Sequence, residues 1–118
     1  PWLSRHPGPL TRLHRRLRRL PLEGAQAYRD GLALFHQGFS SCAGQTLYRQ
    51  DLDPLFRRAR YLLPLESAIR AFFDHAHEVF YRRQPPSPWP AERLQRLARQ
   101  AMAQERGPGR LRAGRTDR

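Results

Sequence analysis

The sequence predicts an all-α protein: a compact bundle of four to five helices with disordered basic termini. Three features point there. Ala25, Tyr28, Leu32, Phe35 and Phe39 recur at alternating intervals of three and four, which places them on one stripe of a helix buried against neighbours. Leu65, Ile69, Phe72, Ala76 and Val79 form a second such stripe, flanked by Phe73 and Phe80. Helix breakers fall between the stripes: Pro21 and Gly24, then Gly44, then Pro64, then the run QPPSPWP from Gln84 to Pro90.

In chain order, residues 1–9 (PWLSRHPGP) carry three prolines and a glycine, too many breakers for a sustained helix. Leu10, Leu13, Leu17 and Leu20 then make a helical stripe surrounded by Arg12, Arg15, Arg16, Arg18 and Arg19. Two readings of this stretch stand side by side. Trp2 and Arg5 ahead of an Arg-rich amphipathic helix look like a juxtamembrane segment, an aromatic at the interface followed by cations including Arg12, Arg15, Arg16 and Arg19. Equally, the helix docks its leucines on the core and keeps its arginines in water. The central helix follows over about residues 25–43, stopped by Gly44, and Gln45–Gln50 reads as a loop. Asp51 or Asp53 is expected to cap a short third helix carrying Leu52, Leu55, Phe56 and Ala59, with Pro54 in its first turn. The fourth helix is expected over about 64–83, starting at Pro64. Opposite its apolar stripe, Glu66, Arg70, Asp74, Glu78 and Arg82 each follow the last by four residues, a ladder of mostly opposite charges. Trp89 is expected to pack down from the proline-rich connector. The last helix, about 90–105, shows Leu94, Leu97, Ala98 and Ala101 on one face, and the tail beyond Gly107 has no core-forming pattern.

At 118 residues the chain is one domain with a single modest core. It opens on Pro1 rather than Met, as expected of a fragment or a processed product. All 22 basic residues are Arg, which reads as a bias of the source genome. The net charge of +12 is unevenly spread. Residues 1–20 hold six Arg and no acid (+6), residues 21–104 eleven Arg and eight acids (+3), and residues 105–118 five Arg and two acids (+3). Cys42 is the single cysteine, so an intrachain disulfide and a Cys-based zinc site are both excluded. No run of about 18 apolar residues appears, so this piece does not itself span a bilayer as a helix.

Asp74-His75-Ala76-His77-Glu78 is the one cluster with metal-ligand residue types. Two residues apart on a helix is about 200° around its axis, so His75 and His77 cannot chelate one ion together. Asp74, His77 and Glu78 share a face and are the weak metal candidates, but Arg70 and Arg82 lie on the same stripe, and a solvated charge ladder is the expected outcome. His36, on the flank of the central stripe, is expected to bond a nearby backbone group. Ser40, Ser41 and Cys42 form no nucleophile elbow or Cys–His signature, and Cys42 is expected in the core. No phosphate-cradling glycine loop is present, so no catalytic residue and no cofactor is expected. The isoelectric point near 11.6 raises nucleic-acid binding. Against it, the charge sits in the terminal segments, and no helix offers a basic recognition face with base-reading Asn or Gln.

Leu34-Phe35-His36-Gln37-Gly38-Phe39 followed by Ala43-Gly44-Gln45-Thr46-Leu47-Tyr48 resembles the "LHxAF…AGxTLF" segment near the C-terminus of MxaA-type proteins, accessory proteins of methanol-oxidation gene clusters. Leu52 to Phe56, Pro64-Leu65 with Ile69 and Phe72-Phe73, Val79-Phe80-Tyr81, and Leu94 to Arg99 with Glu105-Arg106 are similar to the segments that follow. The resemblance covers about residues 10–106 and singles out His36, Phe39, Gly44, Thr46, Phe72 and Phe73. Tyr48 and Tyr81 replace Phe, and His75-Ala76-His77 stands where the family tends to show a Ser-Arg pair.

That resemblance implies a membrane-anchored protein whose periplasmic portion precedes Pro1, with this domain on the cytoplasmic side of the inner membrane. It also implies a role in maturation of the calcium- and quinone-dependent methanol dehydrogenase, beside a MoxR-type ATPase and von Willebrand A-type partners. A cytoplasmic domain cannot itself load calcium into a periplasmic enzyme. The expected function is therefore a non-catalytic protein-interaction domain, with its N-terminal segment against an anionic membrane surface; a basic nucleic-acid-binding helical module is the alternative. The expected organisation is an Arg-rich segment and first helix (1–20), a helical bundle (21–106) and a basic tail (107–118).

Overall fold

A computed structural model describes residues 7–107; Trp2, Arg5 and the tail expected to be disordered beyond Gly107 lie outside them. The fold is all-α. Its helices are α1 (Pro9–Arg18), α2 (Ala25–Ala43), α3 (Asp53–Arg58), α4 (Glu66–Tyr81) and α5 (Ala91–Arg106), with a 3-10 turn over Arg60–Leu65 between α3 and α4. Among the described residues there is no strand beyond an isolated bridge between Tyr48 and Asp51, and no helix is long and apolar enough to cross a membrane.

The periodic stripes are the buried faces. Tyr28, Leu32, Phe35 and Phe39 of α2 and Ile69, Phe72, Phe73 and Val79 of α4 join one core with Leu94, Leu97, Ala98 and Ala101 of α5. Ala25, at the start of the expected stripe, is exposed. α2 ends at Gly44, whose φ of 74° is the left-handed conformation that glycine adopts without a Cβ clash. There the Gly44 amide donates to the Ser41 carbonyl and the Gln45 amide to that of Ser40, both at 3.2 Å, the paired bonds of a Schellman stop.

Three details of the local reading require correction. Neither Asp51 nor Asp53 caps α3: Leu52 holds the cap position without a side-chain bond, and Asp53 lies inside the first turn. Pro64 does not start α4; it sits inside the 3-10 turn, and the helix begins at Glu66. The charge ladder closes only in part. Glu66–Arg70 (2.9 Å) and Glu78–Arg82 (3.3 Å) pair along α4, whereas Asp74 turns across to Arg49 at 3.7 Å. The like charge of Glu78 one turn on makes a cross-element cation the better partner.

The boundary expected at residue 20 also falls inside the core. Leu10, Leu13 and Leu17 of α1 are buried among the residues of α2 and α5, so the first helix is part of the bundle. Its leucines are consumed by packing, which settles how the stretch can meet any other surface: only its arginine side, Arg12, Arg15, Arg16, Arg18 and Arg19, is exposed. α1 has no cap of its own, since Gly8 holds the cap position and Pro9 the first turn. The cap arrives from the other end of the chain. The Glu105 carboxylate accepts the Leu10 amide at 2.8 Å, the Thr11 amide at 2.9 Å and the Thr11 hydroxyl at 2.8 Å. A Cβ at position 8 would run into that carboxylate, so glycine is what admits it. Backbone amides at a helix N-terminus favour a negative charge.

Glu105→Ala should therefore lower stability by about 1–3 kcal/mol, because it strands two helix-terminal amides and a buried hydroxyl. Glu105→Gln should lose less. Urea unfolding followed by the helix signal measures both, and an unchanged midpoint for Glu105→Ala would show that the tie is incidental.

Candidate functional site

Between α2 and α4 the backbones are held apart by rings. Phe35 meets Phe72 at 4.9 Å between centroids, Phe39 meets Phe73 at 5.9 Å, and Phe72 and Phe73 stand edge to face at 5.4 Å. Beside this wedge a groove of about 540 Å³ opens, walled by Leu32, Ala33, His36 and Gln37 of α2, by Phe73, Ala76, His77, Phe80 and Tyr81 of α4, and by the 46–50 loop. Its floor is apolar and its rim aromatic: Tyr48 is 60% exposed, Phe80 40% and Tyr81 77%. Of the large apolar side chains exposed among the described residues, three of four border this groove; the fourth, Leu63, lies elsewhere.

The loop wall is pinned by side chains of α2. His36 Nε2 bonds the Leu47 carbonyl at 2.8 Å, and because a carbonyl only accepts, that nitrogen carries the proton. Ser40 Oγ accepts the Leu47 amide at 3.1 Å. The ring of His36 also stands edge-on to Phe73 at 5.9 Å. The backbone partner expected for His36 is thus in place, while the matching role of Ser40 gave no periodic signal in the sequence.

The residues singled out by motif separate into two groups. His36, Thr46 and Phe73 line the groove. Phe39 and Phe72 are fully buried beneath it, and Gly44 terminates α2. The weak metal candidates are not brought together: Asp74 is paired with Arg49, Glu78 with Arg82, and His77 packs on Tyr81 at 4.8 Å. Among the described residues no three His, Cys, Asp or Glu converge on one point. Arg12, Arg15, Arg16 and Arg19 lie exposed on or beside α1 and do not line this groove, although Arg12 and Arg16 share a small cleft with Gln37 of its wall. Cys42 is buried, with the Tyr61 hydroxyl 3.9 Å from its sulfur, and burial pushes its thiol up to about 11, far from a thiolate at neutral pH.

A second constellation, invisible to sequence spacing, fastens the proline-rich connector. Tyr28 Oη accepts the Trp89 amide at 2.8 Å and lies 2.7 Å from His75 Nε2. With its oxygen already accepting, the phenol has its proton to give, which assigns Nε2 as acceptor and a neutral ring protonated at Nδ1. The His75 ring stacks on Trp89 at 4.7 Å, and the Arg93 guanidinium covers the indole at 3.5 Å. Burial and, next, the charge of Arg93 hold the His75 pKa below its ordinary value, against a smaller opposing pull from Glu78. Burial likewise raises Tyr28, opposed by the Trp89 amide and Arg93. His75, for which the sequence indicated no role beyond the failure to chelate with His77, is the pin of the connector.

Compared with protein-family models, with curated proteins and with solved structures, the chain matches none.

Two outcomes follow from these sites. A histidine whose folded pKa lies below its unfolded value contributes stability above the unfolded value of about 6.5, lost as the pH falls from there through the folded value. The thermal midpoint should drop between about pH 7 and pH 5, and His75→Gln should flatten part of that drop. His14 remains a second contributor, its pKa also lowered by burial and then by Arg18 and Arg99. An identical slope in His75→Gln would remove the connector pin from the explanation. Cys42 should resist a thiol reagent at pH 8 in the native state and react promptly in denaturant; rapid native labelling would contradict its burial.

Proposed function

We propose that this chain is a non-catalytic protein-docking domain of a membrane-anchored accessory factor serving methanol dehydrogenase maturation, on the cytoplasmic side of the inner membrane. The observation that carries the docking role is the groove between α2 and α4, where Tyr48, Phe80 and Tyr81 remain in water beside an apolar floor. Exposed aromatics gathered at one groove mark a surface that another protein covers. The groove is lined by His36, Thr46 and Phe73, three of the residues on which the MxaA-type resemblance rests. That resemblance supplies the membrane anchor, the methanol-oxidation setting and the candidate partners, a MoxR-type ATPase and a von Willebrand A-type protein. The exposed arginines of α1 agree with a cytoplasmic, membrane-facing start under the positive-inside tendency, and an anionic lipid surface would attract them electrostatically.

A basic nucleic-acid-binding module is the second reading, favoured by Arg12, Arg15, Arg16, Arg18 and Arg19 on the outside of α1 together with exposed Arg93, Arg96 and Arg99 on α5. Steeply salt-dependent duplex binding that falls on charge reversal of α1, with the groove residues irrelevant, would support it.

The direct test places Phe80→Asp and Tyr81→Asp in the parent gene of the host and assays periplasmic methanol dehydrogenase during growth on methanol. The expected result is accumulation of enzyme poor in calcium and low in activity, with the accessory factor itself present at its usual level. Normal calcium content and activity would defeat the docking role in this pathway.

A further inference from the structure

We propose that the α2–α4 groove receives an amphipathic helix of a partner protein, apolar on the docking face and flanked by Asp and Glu. This rests on the docking reading above and adds the chemistry of what docks. Two helices held apart by an aromatic wedge leave a slot that a third helix fills by seating its ridges between theirs. The volume, about 540 Å³, lies in the range of sites that bury several apolar groups. Phe80 and Tyr81 at the C-terminal end of α4 and Tyr48 on the loop supply the flat contacts that anchor such helices.

The flanking charge follows from what surrounds the groove. No acidic residue lines it, whereas Arg49 and His77 do. The Arg29 guanidinium stands over the Phe80 ring at 5.7 Å, and Arg82 and Arg83 follow Tyr81 directly. Two of the acids nearby, Asp74 and Glu78, are already paired with arginines, while exposed Asp51 follows the 46–50 loop. Asp74 faces Arg49 at 3.7 Å, Glu78 faces Arg82 at 3.3 Å, and Asp30 accepts from Gln26 at 2.9 Å. Against a lining that holds Arg49 and no acid, an acidic helix gains steering and charge-assisted bonds that a lysine-flanked one lacks.

The test uses a designed, fluorescein-labelled amphipathic peptide of about 18 residues, with leucines on one face and Glu on both flanks. A sister peptide carries Lys at the same flanking positions. Anisotropy titrations use the full chain at about 0.15 M salt. The acidic peptide should bind with a micromolar Kd, at least about tenfold tighter than the lysine peptide. Phe80→Ala with Tyr81→Ala, both exposed and checked for an unchanged helix signal, should weaken it about tenfold or more, whereas Arg15→Ala with Arg18→Ala should leave it within about twofold. Equal binding of the two peptides, binding lost on the α1 substitutions instead, or no binding of either would overturn the proposal. A lysine peptide that binds and depends on Phe80 and Tyr81 would overturn the acidic chemistry alone and leave docking standing. Failure of docking itself would show instead as normal enzyme maturation in the host variants.

Discussion

Four phenylalanines set the geometry on which the rest depends. Phe35 and Phe39 on one helix and Phe72 and Phe73 on another interlock at centroid distances of 4.9 to 6.2 Å, and all four are buried. Rings at offset and edge-to-face angles are favourable beyond the area they bury, so the wedge is both glue and spacer. The groove opens beside that wedge, and Phe80 and Tyr81 stand exposed about two turns beyond Phe73. Where α1 meets α5 the facing residues are leucines and the alanines Ala98 and Ala101, and that seam closes tightly.

The second constraint joins the ends of the bundle. Glu105, in the last turn of the last helix, supplies the N-terminal cap that the first helix lacks. Pro9 favours a helix start there, but neither Gly8 nor an acid of the first turn satisfies the first amides, and that role falls to a group from elsewhere. The carboxylate does so from 95 positions away in sequence and ties α1 into the same cooperative unit as α5. The leucines of this Arg-rich amphipathic helix are thereby committed to the core, and only its cations remain for an external surface.

Charge is sorted by the same architecture. The acids of α4 are drawn into pairs with Arg49, Arg70 and Arg82, while α1 carries four arginines and no acid, and Arg19 follows it directly. The groove thus keeps a mildly basic border with no acid in its lining, and the outer side of α1 is a cationic ridge. The Tyr28–His75–Trp89 stack fixes the connector that runs between α4 and α5, through a histidine and two aromatic rings rather than an ion pair.

By itself the sequence determined the helices, most of their breaks and most of their buried faces, because hydrophobic periodicity, proline and glycine act within a few residues of one another; the 3-10 turn around Pro64 was not legible. It also determined that His36 would bond backbone, since a histidine on the flank of an apolar stripe must find a partner close at hand. Only the tertiary structure decided that α1 belongs to the core, that Glu105 caps it, that His75 pins Trp89, and that the aromatics of α4 border an open groove. Tyr28 reaches His75 across 47 positions and Leu10 reaches Glu105 across 95, and no local pattern encodes which distant carboxylate reaches which amide or how two ring-bearing helices come to rest.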